Sequence, residues 1–144
     1  MIRLGIDSAF DYTVDPSARL ALVAFTGTLT GGQMLAAVQT VHADPRWQPG
    51  FSAIWDCMRV RAHIVAPEEV QPLLDQTAFS ESSMDVLLET EELSRNFFSD
   101  MFTRQLRALG KNAWVRESLD EGLAQLGREA LPERLLRVYD EFGD

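Results

Sequence analysis

Asp56, Cys57, Arg59, Arg61 and His63 fall within one stretch of eight residues, the segment of this chain richest in side chains that could do chemistry. A thiol displayed at the end of a strand could act as a nucleophile, with Arg59 and Arg61 lowering its pKa and His63 the nearest base in sequence. The two arginines could equally hold a carboxylate or phosphate through their guanidinium forks. Ordinary explanations cover the same residues: free cysteines are among the most buried residue types, and polar loop residues are mostly only solvated.

Other chemistries find less material. Gly27, Gly31 and Gly32 sit near a strand-to-helix junction where helix amides attract anions, but no Lys-Ser/Thr follows and the spacing fails the dinucleotide fingerprint. Glu68-Glu69, Glu91-Glu92 and Asp120-Glu121 each fall in the first turn of an expected helix, where carboxylates complement the dipole, so they are read as helix-end charges and not as acid/base pairs. His42 closes an amphipathic helix, where a partly protonated imidazole is favoured by the dipole. With one cysteine, two histidines distant in sequence and no Cys-x-x-Cys, neither a disulfide nor a metal site is expected, and no cofactor is implied.

At 144 residues the chain has the length of one domain, and residues 1–144 are read as such. Apolar residues make up 46% and charged residues 24%, the balance of a globular protein able to bury a core. A net charge of −9 repels phosphate backbones and anionic headgroups, which argues against nucleic acid as a partner. No apolar run has the length of a membrane span, and Met1–Ile6 lacks the pattern of a secretion signal, so a cytosolic location is expected. An unpaired thiol fits a reducing compartment.

The elements that would position these side chains follow from periodicity. Ile2, Leu4, Ile6, Phe10, Tyr12 and Val14 alternate as a half-buried strand broken near Ser8, and Asp15-Pro16-Ser17-Ala18 turns the chain into a second arm over Arg19–Phe25. Thr30-Gly31-Gly32-Gln33 has capping-box spacing, predicting a helix with Met34, Ala37, Val38 and Val41 on one face until Asp44-Pro45. A strand over Phe51–Trp55 ends at Asp56, and a helix opens at Pro67, where Pro72 predicts a kink or a late start. Met84–Glu89 reads as a strand, Glu91–Leu109 as one long helix capped by Gly110, and Ala113–Arg116 as a last strand. Two helices close the chain, one behind Ser118 and one opened by Leu131-Pro132. The order ββαβαβαβαα predicts an α/β fold, a mixed sheet covered by helices, with ligands favoured beyond Phe25, Trp55 and Glu89 at the strand ends.

This arrangement resembles the SpoIIAA-like branch of the STAS superfamily. The likeness is carried by the Tyr12–Val14 strand, the LVAFTGTLTGGQ junction, Ile54-Trp55-Asp56, and the AWVRESLDEGLAQLG block over Ala113–Gly127. The closing helix, about 132–142, lies beyond the matched part as an extension. The resemblance implies a non-enzymatic bacterial regulatory module that contacts a protein partner or itself, as a homodimer. Regulatory members are phosphorylated on a Ser or Thr just after the strand corresponding to Phe51–Trp55. Asp56-Cys57-Met58-Arg59-Val60 offers no hydroxyl there, and Ser52 falls inside the strand. The alternative is a carrier of a hydrophobic or acyl ligand held between the long helix, through Leu93, Phe97 and Met101, and the sheet. The candidate ligand- or partner-binding residues are therefore Asp56, Cys57, Arg59, Arg61, Phe97 and Met101, with none assigned as catalytic.

Overall fold

The turn Asp15–Ala18 forms as its composition dictates: the Asp15 carboxylate accepts from the Ala18 amide at 3.0 Å and the Pro16 carbonyl from the Arg19 amide at 3.2 Å. It joins β1 (Phe10–Asp15) to β2 (Leu20–Thr30) in a computed structural model that describes residues 10–78, 81–94 and 98–142. Then follow α1 (Gly31–Ala43), β3 (Ser52–Ile64), α2 (Pro67–Ala78), β4 (Asp85–Leu88), α3 (Glu91–Ser94), α4 (Phe98–Ala108), β5 (Ala113–Arg116), α5 (Leu119–Gln125) and α6 (Glu133–Glu141). The sheet has the order β1-β2-β3-β4-β5, antiparallel between β1 and β2 and parallel thereafter. This is the mixed, helix-covered sheet that the element order predicts. The strand expected over Ile2–Ile6 lies outside the described residues.

Alternation along β2 divides the interior into two cores. Ala21, Val23 and Phe25 meet Met34, Val38 and Val41 of α1, Leu73 of α2 and Phe102 and Leu106 of α4 on one face. Leu20, Leu22 and Ala24 meet Leu123 of α5 and Leu135 of α6, with Leu131 and Phe142 flanking α6, on the other. A strand covered on both faces must be apolar at every position, which is why β2 reads as a continuous run. The C-terminal helix is thus one wall of the second core.

Three expected boundaries move. β2 runs on past Phe25 to Thr30, and β3 runs past Asp56 to Ile64, because the two strands keep pairing from Leu20↔Ser52 to Thr30↔Ile64 and so satisfy each other's backbone. β4 pairs with β3 only as far as Asp56↔Leu88, so beyond that point β2 and β3 form a two-stranded arm whose polar side chains imitate a loop in sequence. The helix expected over Glu91–Leu109 is described as two, α3 and α4. Its end is as predicted: Gly110 takes φ +86°, and Lys111 and Gly110 donate to the carbonyls of Leu106 and Arg107, each at 3.0 Å. α2 begins at Pro67 and carries the exposed Pro72 inside it, so the late start does not occur.

Candidate functional site

The geometry of the arm depends on two irregularities in β3. Its register against β2 jumps between Ala24 and Thr26, and again between Gly27 and Thr28, each time passing one extra β3 residue. A bulge of this kind returns the next side chain to the same face after three residues instead of two. Cys57, Val60 and His63 (partnered with Leu29) consequently all face the first core, where strict alternation would have separated them.

There His63 meets residues from the end of β4 and from α4. Its Nε2 lies 2.9 Å from Oε1 of Glu89, the residue that follows β4, and the Ser99 hydroxyl in the first turn of α4 donates to the same carboxyl oxygen. One ligand atom each of Cys57, His63 and Glu89 lies within 4.8 Å of the other two. All are enclosed: Cys57 and Glu89 are 1% exposed, Ser99 2%, and the His63 side chain 3%. The Phe98 ring lies 5.6 Å from the imidazole and stacks on Phe102 at 5.7 Å, which excludes water from that side. Among the described residues, His63 Nδ1 and Glu89 Oε2 are buried without a hydrogen-bond partner. Burial, and then the nearby Glu89 and Asp56 carboxyls, push the Cys57 thiol well above its ordinary pKa. As it stands the thiol is protonated and not an activated nucleophile.

The polar cluster expected from sequence does not assemble. Asp56 turns to the second core, where it accepts from the Met58 amide at 2.7 Å and from the Tyr139 phenol of α6. Arg59 and Arg61 are exposed, and Arg61 joins Val60, Thr90, Glu92 and Leu93 around an open groove of about 400 Å³ at the carboxyl ends of the strands. Met101 is 43% exposed on the outer face of α4, not between helix and sheet, and Phe97 lies outside the described residues. The enclosed cavity that does lie between α4 and the sheet, lined by Phe25, Trp55, Cys57, Leu87 and Phe102 among others, measures about 30 Å³. That is room for roughly one or two waters, far below the volume of an acyl chain. Asp85 borders it, accepting from Trp55 Nε1 at 3.0 Å and from Ser82 at 2.5 Å, with burial raising its pKa.

The glycines before α1 are likewise accounted for. Glu69 Oε2 accepts from the Gly32 amide at 2.9 Å and its Oε1 from the Ala66 amide at 2.8 Å, so a carboxylate of this chain already sits where a phosphate would bind. A Cβ on Gly31 would lie 2.7 Å from the Glu69 Cβ, which shows how close the two segments run. Glu89 and Ser99 are the site residues that sequence reasoning missed. Their signal was weak: Glu89 is a lone acid closing the apolar run Val86–Leu88, and Ser99 a small hydroxyl in a helix read for its aromatic stripe.

No family model and no curated protein matches the chain. Solved structures do. The anti-sigma factor antagonist SpoIIAA in its unphosphorylated form is similar with a TM-score of 0.50 at 16% identity, over 85% of this chain and 100% of that one. An uncharacterised protein of the DUF3478 family with a SpoIIAA-like fold, from Shewanella loihica, is similar with a TM-score of 0.54 at 13% identity, over 88% of this chain and 99% of that one. The fold of the chain is SpoIIAA-like, as its sequence resemblance implied.

Proposed function

We propose that this SpoIIAA-like domain is a non-enzymatic regulatory module that works by protein contact, with a partner protein or a second copy of itself, at the carboxyl ends of its parallel strands. The observation that carries the reading is the open groove of about 400 Å³ there, where the cation of Arg61 and the acid of Glu92 flank Val60 and Leu93. A mostly polar groove carrying opposite charges suits a polypeptide surface. The buried cluster of Cys57, His63 and Glu89 holds a protonated thiol closed off from solvent, which favours binding over catalysis. The fold adds support, since one protein that shares it is named as the antagonist of an anti-sigma factor. A cytosolic location accords with this reading, and no helix among the described residues is long and apolar enough to cross a membrane.

A photo-crosslinking phenylalanine analogue placed at position 61, and in a control at the exposed position 71 on α2, tests the surface directly. Irradiation in cells should give a discrete adduct from position 61 and none from position 71. An adduct of twice the chain mass identifies the partner as a second copy. Equal adducts from both positions, or none from position 61, would contradict contact through this groove.

A further inference from the structure

We propose that Cys57, His63 and Glu89, with the Ser99 hydroxyl beside them, form a binding site for one zinc-type divalent ion. The donor set is the first ground. Thiolate sulfur, imidazole nitrogen and carboxylate oxygen are the three protein ligands that zinc accepts, and mixed sets of them are common. The two anionic ligands, Cys57 as thiolate and Glu89 as carboxylate, would neutralise a divalent charge and leave the enclosed site without net charge, which burial demands.

Geometry is the second ground. Tetrahedral zinc, with bonds of about 2.0 to 2.3 Å, places its ligand atoms roughly 3.3 to 3.8 Å apart. One donor atom from each of the three residues already lies within 4.8 Å of the others, so small side-chain movements complete the set. These atoms converge from β3 and from the residue after β4, brought together by the two bulges that keep Cys57 and His63 on one face.

The third ground is what the protein leaves unpaired. Most buried polar groups find partners for their atoms. Here His63 Nδ1 and Glu89 Oε2 have none among the described residues, although both are shut away from solvent. Ligation of a metal ion through those atoms would satisfy both. On binding, the thiol loses its proton to solvent as the sulfur–metal bond forms, so uptake of one ion releases one proton from Cys57.

The test uses the full chain stripped with a chelator and then titrated with Co²⁺ alone. Cys57 is the only cysteine in the sequence, so a sulfur-to-cobalt charge-transfer band can arise from no other residue. The inference predicts that band, saturating at one equivalent, bleached by Zn²⁺, accompanied by proton release and by a higher Tm. Cys57→Ala should abolish the band, and His63→Gln should weaken binding by about 100-fold, while His42→Gln leaves both intact. The wild-type band is decisive even where a variant fails to fold. Absence of the band with excess Co²⁺, or a band that survives Cys57→Ala, would overturn the site. Either result leaves the protein-contact reading standing, because the groove around Arg61 is tested by crosslinking.

Discussion

His42 couples the fold to pH. Burial, with the Lys111 charge adding to it, lowers its pKa from 6.5 to about 4, and both ring nitrogens lack partners among the described residues. The unfolded chain therefore binds the proton that the folded chain refuses. Stability from this residue is complete above pH 6.5 and is lost as the pH falls toward 4, by an amount on the order of 2 kcal/mol once partial exposure is allowed for. Urea midpoints measured between pH 7 and pH 4 should fall in the wild type and flatten in His42→Phe; equal slopes would contradict this. Tyr139 acts differently, as a polar tie between α6 and the sheet beside the Arg134–Asp15 ion pair. Its phenol donates to the buried Asp56 carboxyl, and burial followed by that bond raises its pKa. Tyr139→Phe removes the donor and should cost about 2 kcal/mol, read as a lower denaturation midpoint at unchanged slope. An unshifted midpoint would mean that the Tyr139–Asp56 bond contributes nothing to holding α6. At this scale the sequence was a partial guide. Cys57 and His63 stood out by type, but Glu89 comes 26 residues beyond His63, and no local pattern links the two.

Elements whose determinants are local were legible, and those that depend on a distant partner were not. The start of α1 is fixed by four consecutive residues: the Thr30 hydroxyl accepts from the Gln33 amide at 3.2 Å, and the Gln33 side chain accepts from the Thr30 amide at 2.8 Å. The far half of β3 exists because β2 pairs with it, and its bulges belong to that pairing and not to any β3 signature. Read by composition, Asp56 to His63 is a polar loop, and that misreading scattered the candidate site. Close approach of elements was equally hidden. At Gly122 in α5, a Cβ would lie 2.7 Å from Leu88 Cδ2 and 3.5 Å from Val86 Cγ1, so the helix touches β4 through the absence of a side chain. Gly122→Val should wedge α5 off the sheet and destabilise by about 2 kcal/mol, measured by thermal or urea unfolding. A variant as stable as the wild type would show that α5 shifts without penalty.

Across the whole molecule, the fold places an open groove of about 400 Å³ at the carboxyl edge of a sheet buried on both faces, while the cavity under α4 measures about 30 Å³. Open α/β sheets bind at that edge, which is where the proposed contact surface lies. The acidic stretch from Glu68 to Asp100, followed by Arg104, Arg107, Lys111 and Arg116, is a charge asymmetry of the kind that can orient a protein contact. The central claim is thus that this domain works by contact with a polypeptide and not as a carrier of a lipidic ligand. Native mass spectrometry of the protein as purified, with no ligand added, tests it most directly. The expected species are made of polypeptide alone, two copies of the chain or the chain with a protein partner, with at most the small increment of a metal ion. Additional mass in the lipid range that disappears on denaturation would contradict it.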